Sequence, residues 1–156
     1  MRFISNSVED TLRLGRSIAR HVRKGDCLCL YGELGSGKTV LTKGIAAGLG
    51  IHKSRLISPT FILFRIYDGK KLSLYHFDFY RLSGVRDIVG LGYEEYFYGN
   101  GVTVIEWPQR LGFLLPHEHL RVELSIQGAG KRMVTIRGEG LRYRDLMRSC
   151  DEAARH

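Results

Sequence analysis

Gly32-Glu33-Leu34-Gly35-Ser36-Gly37-Lys38-Thr39 spells the complete phosphate-binding pattern G-x-x-x-x-G-K-S/T. The chemistry it offers is the cradling of a nucleoside triphosphate. Backbone N–H groups of a glycine-rich turn and the positive end of a helix dipole favour phosphate, and Lys38 adds a charge for the terminal phosphates. Thr39 supplies a hydroxyl for Mg²⁺. The flanking residues agree with this reading. Cys27-Leu28-Cys29-Leu30-Tyr31 is a short, continuously apolar run, as expected of a strand buried on both faces of a parallel sheet. Val40, Leu41, Ile45 and Leu49 then recur at helical spacing, and Gly50 supplies a stop.

A triphosphate site also needs a carboxylate for the metal, usually at the end of a hydrophobic strand beside the loop strand. Two runs end that way: Leu74-Tyr75-His76-Phe77-Asp78 and Val102-Thr103-Val104-Ile105-Glu106. Brought to one sheet edge, one acid could serve the metal while the other orients an attacking water. Ser58-Pro59-Thr60 is a third candidate, with Thr60 either sensing the terminal phosphate as a switch residue or standing in an ordinary turn. His76 reads as a hydrogen-bonded core residue and the lone Trp107 as a half-buried packing residue.

The remaining elements must position these groups. Ser7-Val8-Glu9-Asp10 is a capping signal for a helix to about residue 22, with Leu12, Gly15, Ile18, Ala19 and Val22 on one face. Residues 61–67 and 71–77 flank Asp68-Gly69-Lys70 and predict a hairpin that joins the sheet; residues 82–98 predict one or two short helices. Residues 122–126 and 133–136, around Gly128-Ala129-Gly130, predict a second hairpin, and a closing helix is expected over residues 141–154. The expected fold is α/β, a P-loop three-layer arrangement with a mixed central sheet and antiparallel hairpin additions. Residues 1–156 read as a single domain, with the core over about 7–138 and a helical tail at 139–156.

Composition bounds the rest. The 156 residues are 44% hydrophobic, as in an ordinary globular protein with a sizeable core. No apolar run approaches a membrane span and the first residues lack a secretory centre, so a cytoplasmic protein is expected. Three cysteines make no disulfide framework; Cys27 and Cys29 read as reduced core thiols, and Cys150 is given no role. The net charge of +8 points to an acidic partner or ligand. Yet the basic residues are scattered, with Arg13, Arg16, Arg20, Arg23 and Lys24 in one helical segment and Arg137, Arg142, Arg144 and Arg148 near the C-terminus. Solvated helix faces and an RNA-facing patch both fit that distribution.

The ordered set of the 32–39 loop, Ser58-Pro59-Thr60-Phe61, His76-Phe77-Asp78-Phe79-Tyr80-Arg81-Leu82, Leu91-Gly92-Tyr93-Glu94-Glu95-Tyr96-Phe97 and Ile105-Glu106-Trp107-Pro108 closely resembles the TsaE (YjeE) family. The likeness runs from about Thr11 to Arg137. It implies a bacterial ATPase that converts ATP to ADP and phosphate in support of threonylcarbamoyladenosine formation in transfer RNA, working in a complex with TsaD and TsaB. Any tRNA contact would be indirect, through that complex.

Carried over to this chain, the resemblance implies a loop of Gly32, Glu33, Leu34, Gly35, Ser36, Gly37, Lys38 and Thr39 holding ATP, with Thr39 and Glu106 at Mg²⁺. It makes Asp78 the acid needed for hydrolysis and Thr60 the switch-like residue. Lys131 and Arg132 are candidate base or phosphate contacts. Glu33, Ser36, Phe61 and Phe79 depart from the commonest family residues, and none of these changes removes a phosphate or metal ligand. Two alternatives stand beside this reading. A small-molecule kinase would need an arginine-bearing lid, for which Arg81 and Arg86 are available. A basic RNA-binding module would explain the charge and leave the loop unexplained.

Overall fold

The computed structural model describes residues 1–52, 55–56 and 64–155. The chain builds one seven-stranded mixed sheet in the order β1-β7-β6-β2-β5-β4-β3. At its centre β2 (Cys27–Tyr31) runs parallel to both β5 (Val102–Glu106) and β6 (His119–Gly128), and β4 (Leu74–Asp78) runs parallel to β5. The edges are antiparallel: β3 (Phe64–Tyr67) on β4, β7 (Lys131–Glu139) on β6, and β1 (Arg2–Ser5) on β7.

The two faces of the sheet follow from the period of two in each strand. Leu28, Leu30, Val102 and Val104 face one core, covered by α1 (Val8–Ala19), α2 (Lys38–Gly48) and α5 (Leu141–Ala154). Cys27, Cys29, Phe77 and Ile105 face the other, covered by α3 (Val85–Val89), α4 (Glu94–Phe97) and a 3₁₀ segment (Pro108–Leu114). This is the expected three-layer α/β arrangement.

Helix α1 begins with the reciprocal cap its sequence predicts. Asp10 N–H donates to Ser7 Oγ at 3.1 Å, and Asn6 N–H donates to the Asp10 carboxylate at 2.9 Å. It ends at Ala19 rather than near residue 22, because Arg20 and His21 N–H turn to Ser17 and Ile18 carbonyls in tighter three-residue bonds. Small residues let α1 lie against α2 almost backbone to backbone. A Cβ on Gly44 would stand 2.4 Å from Leu12 O, and one on Gly15 would stand 2.6 Å from Leu41 O. That close crossing sets the height of α2, and so of its first residues Lys38 and Thr39, above the sheet.

Both hairpins form, with β4 starting at Leu74 rather than residue 71 and β6 and β7 longer than the apolar runs suggested. Residues 61–63 of the first predicted strand lie outside the described residues. Strand β1 was not anticipated: it is four residues at an edge, alternately exposed and buried, too short to carry a period. The closing helix spans Leu141–Ala154 as expected and is latched to the start of β2. Arg142 donates to both Asp26 oxygens, at 2.6 and 3.1 Å, and Cys27 N–H donates to Tyr143 Oη at 2.9 Å. Cys27, Cys29 and Cys150 are all buried thiols. Among the described residues no helix is long and apolar enough to cross a membrane.

Candidate nucleotide and metal site

Strand β2 stops at Tyr31 and the chain must reverse over six residues into α2. Left-handed backbone makes that possible: Gly35 and Gly37 have φ of 78° and 103°. Gly32 is required sterically as well, since a Cβ there would stand 2.4 Å from Ser36 Oγ and 2.7 Å from Leu124 O. Gly37 is the residue before α2, so the first helical N–H groups open onto the turn. Lys38 is buried, and its ammonium donates to the loop carbonyls of Gly32 at 2.5 Å and Glu33 at 3.0 Å.

Register then delivers the acids. Strands β4 and β5 are parallel neighbours with Asp78 paired to Glu106, so both strand-end carboxylates arrive side by side at the edge where the loop sits. Thr39 Oγ1 donates to Glu106 Oε1 at 3.1 Å, tying the loop helix to β5. The other oxygen, Oε2, meets His76 Nε2 at 2.5 Å. Asp78 Oδ1 accepts from Tyr80 N–H at 3.0 Å. Glu106 and Asp78 are 2% and 6% exposed, so neither is an ordinary solvated strand-end acid.

The electrostatics reflect this crowding. Burial pushes the Asp78 carboxyl above the usual range; the Tyr80 N–H opposes it, and the Glu106 charge adds to it. Burial also pulls the Lys38 ammonium below the usual lysine range, against the restoring charges of Glu106, Asp78 and Glu33. Trp107 closes the site from the side. Its ring centre is 4.7 Å from Lys38 Nζ and 4.9 Å from the Tyr80 ring. It is the one described non-glycine residue with positive φ, 60°, a costly conformation of the kind found at functional sites.

These groups line one cavity of about 280 Å³, bounded by residues 34–40, Asp78, Tyr80, Glu106 and Trp107. A larger cleft of about 470 Å³ lies at the opposite end of β2, between Arg23, Asp26, Phe97 and Arg142. Its central charges neutralise one another in the Asp26–Arg142 pair, so size does not identify the site.

The donor set suits a hard divalent cation that arrives with phosphate. A hydroxyl and a carboxylate oxygen converge at the helix N-terminus, and the imidazole nitrogen beside them is occupied by Glu106. Among the described residues no group of three or more His, Cys, Asp or Glu forms a cage of its own. One hydroxyl and one carboxylate beside a phosphate loop would suit Mg²⁺, which keeps waters and shares phosphate oxygens. Thr39 and Glu106 are the residues that would hold it.

Of the remaining sequence candidates, Arg132 stands against the loop: its guanidinium donates to the carbonyls of Gly35 at 3.0 Å, Lys131 at 3.1 Å and Gly128 at 3.3 Å. Lys131 is exposed at the start of β7. Thr60, with Ser58, Pro59 and Phe61, lies outside the described residues. Sequence reasoning had His76 as a hydrogen-bonded core residue but missed its partner, Glu106. It also missed the Trp107–Lys38 contact. The His76–Glu106 contact follows from β4 and β5 being neighbours, which no residue pattern within either segment announces.

Comparison with known proteins identifies the family. The family model described as "Threonylcarbamoyl adenosine biosynthesis protein TsaE" matches residues 5–134. The chain is 41% identical to the Treponema pallidum tRNA threonylcarbamoyladenosine biosynthesis protein TsaE, over 87% of this chain and 99% of that protein. It is 40% identical to the Bacillus subtilis protein of the same name, over 95% of this chain and 90% of that one. The crystal structure of Bacillus subtilis YdiB superposes with a TM-score of 0.86 at 35% identity, covering 99% of this chain and 95% of that one. Sequence and fold agree: the chain belongs to the TsaE family.

Proposed function

We propose that this chain is a Mg²⁺-dependent ATPase that converts ATP and water to ADP and phosphate in support of threonylcarbamoyladenosine formation in tRNA. The observation that carries the reading is the Thr39–Glu106 hydrogen bond, which joins a complete phosphate loop to a buried strand-end acid inside one cavity. In this reading the amides of residues 32–39 and Lys38 bind the triphosphate, and Thr39 and Glu106 hold the metal. When bound, Mg²⁺ neutralises phosphate charge and orients the leaving group.

Asp78 sits beside Glu106 with its proton affinity raised by burial, as suits a group that orients water and accepts its proton. The Trp107 and Tyr80 rings pack against each other at the wall of the same cavity. Thr60 is the proposed switch-like residue. Proposed partners are TsaD and TsaB, in the cytoplasm, with hydrolysis accelerated once they order the site. Direct tRNA reading is disfavoured because Arg13 and Arg16 of α1 are paired with Asp10 and Glu9, leaving that face partly neutralised.

The test is ATP hydrolysis by the wild type and Lys38→Ala, alone and with TsaD–TsaB, alongside threonylcarbamoyladenosine levels in cells depleted of the protein. Lys38→Ala should lose ATP binding and turnover, and depletion should lower the modified nucleoside. Equal turnover in both proteins, or unchanged tRNA modification on depletion, would sink the reading.

A further inference from the structure

His76 sits in a strand of otherwise apolar or aromatic character until Asp78, and a histidine there needs a hydrogen-bond partner. It has a specific one. On parallel strands β4 and β5 the pairs His76–Val104 and Asp78–Glu106 share a face, so Glu106 is the diagonal neighbour of His76. Its side chain spans that diagonal and brings Oε2 to 2.5 Å from Nε2, with both side chains 3% exposed. An ionised carboxylate only accepts, so Nε2 carries the proton and the ring tautomer is fixed.

The consequence lies at the other oxygen. A carboxylate this deeply buried is costly unless both oxygens are satisfied. Thr39 satisfies Oε1 and His76 satisfies Oε2, so the plane of the carboxylate is pinned from two sides. Only the Thr39 side belongs to the cavity; His76 does not line it.

We propose that His76 is a positioning residue: it holds Glu106 with Oε1 turned to Thr39, and thereby sets the metal-dependent part of nucleotide binding without touching nucleotide or metal. The inference rests on Glu106 being the metal-site carboxylate. A histidine that merely filled the core would alter the whole site, with and without metal. A histidine acting through Glu106 alters only the metal-dependent increment.

The experiment uses the lone tryptophan, Trp107, which leans over Lys38, as a fluorescent reporter of ATP binding. ATP is titrated in EDTA and then in Mg²⁺ for wild type, His76→Leu and His76→Gln. Glutamine places an amide N–H near the position of Nε2, so it can restore the bond that leucine removes. Affinity in EDTA should agree among the three proteins. The gain from Mg²⁺ should fall about tenfold in His76→Leu and largely return in His76→Gln, as for residues that orient a metal ligand. The same Mg²⁺ gain in all three proteins would overturn the proposal. So would an equal loss in both variants that appears in EDTA as well, since that is a packing defect. A wild type with no Mg²⁺ gain would instead reject Glu106 as the metal-site acid, and the inference with it.

Discussion

Glu106 is where stability and chemistry can be separated by a pair of substitutions. The side chain is 2% exposed and accepts two charge-assisted hydrogen bonds, from Thr39 and His76. Glutamine keeps the shape. Its oxygen can still accept from His76, and its amide group then faces Thr39, whose hydroxyl can rotate to accept. Two charged bonds worth about 1.5–3 kcal/mol each become neutral ones worth about 0.5–1.5. Relief of the like charge beside Asp78 offsets part of that difference, leaving a net loss of about 1–2 kcal/mol. For a chain of this size that is a fall of about 2–8 °C in melting temperature.

Alanine is different in kind. It leaves the His76 N–H buried with no acceptor, a cost of about 1–3 kcal/mol, and removes one methylene of packing at about 0.8 kcal/mol along with the carboxylate. Water can still reach Thr39, which is only half-buried. The expected loss is about 2–4 kcal/mol, or roughly 4–16 °C. Calorimetric melting measures the stabilities, and ATP titration with and without Mg²⁺ measures the function. Both variants should lose the Mg²⁺-dependent gain in affinity, and Glu106→Ala should melt below Glu106→Gln. Full Mg²⁺ dependence in Glu106→Gln, or equal melting of Glu106→Ala and wild type, would refute the reasoning.

Two further outcomes follow from the same geometry. Burial raises the folded-state pKa of Asp78, so protonation contributes stability that is present at low pH and is lost as pH rises through that folded value. Asp78→Asn should therefore melt above wild type at neutral pH by a margin that grows as pH rises above the ordinary aspartate range, while keeping Mg-ATP binding and losing hydrolysis; a constant or shrinking margin would contradict it. Gly44→Ala puts a Cβ 2.4 Å from backbone and should cost about 1–3 kcal/mol, whereas Gly90→Ala, in ordinary helical backbone with its nearest atom at 4.0 Å, should melt like wild type.

What could be read from the sequence was what is local. The loop was legible because consecutive residues carry the whole device: glycines where φ turns positive, then a lysine and a threonine on the first helical turn. The two acids were legible as strand ends, and their side-by-side placement was not, because that depends on which strands are neighbours. Once β4 and β5 pair, His76 becomes the partner of Glu106, and nothing in the strand's own pattern announces it. The Asp26–Arg142 latch is hidden for the same reason, its partners being 116 residues apart. Trp107 was hidden differently: left-handed backbone is expected of glycine, and a tryptophan there gives no sequence signal.

That pattern of legibility has a physical cause that also bears on how the site works. The loop's geometry is built by residues in covalent succession, so it can be preformed. The carboxylate edge is built by three strands and a helix, and it gathers Asp78, Glu106 and Lys38 around one cavity, with His76 behind Glu106. Such a cluster does not stabilise itself. Two acids side by side repel, and Trp107 adds backbone strain. What holds the edge in register is remote from it: the close α1–α2 crossing at Gly15 and Gly44 on one side, and the aromatic packing of Phe64, Phe77, Tyr96 and Phe97 under β4 on the other. Substitutions in those supports should therefore change nucleotide chemistry without touching the site, by letting the Thr39–Glu106 contact open.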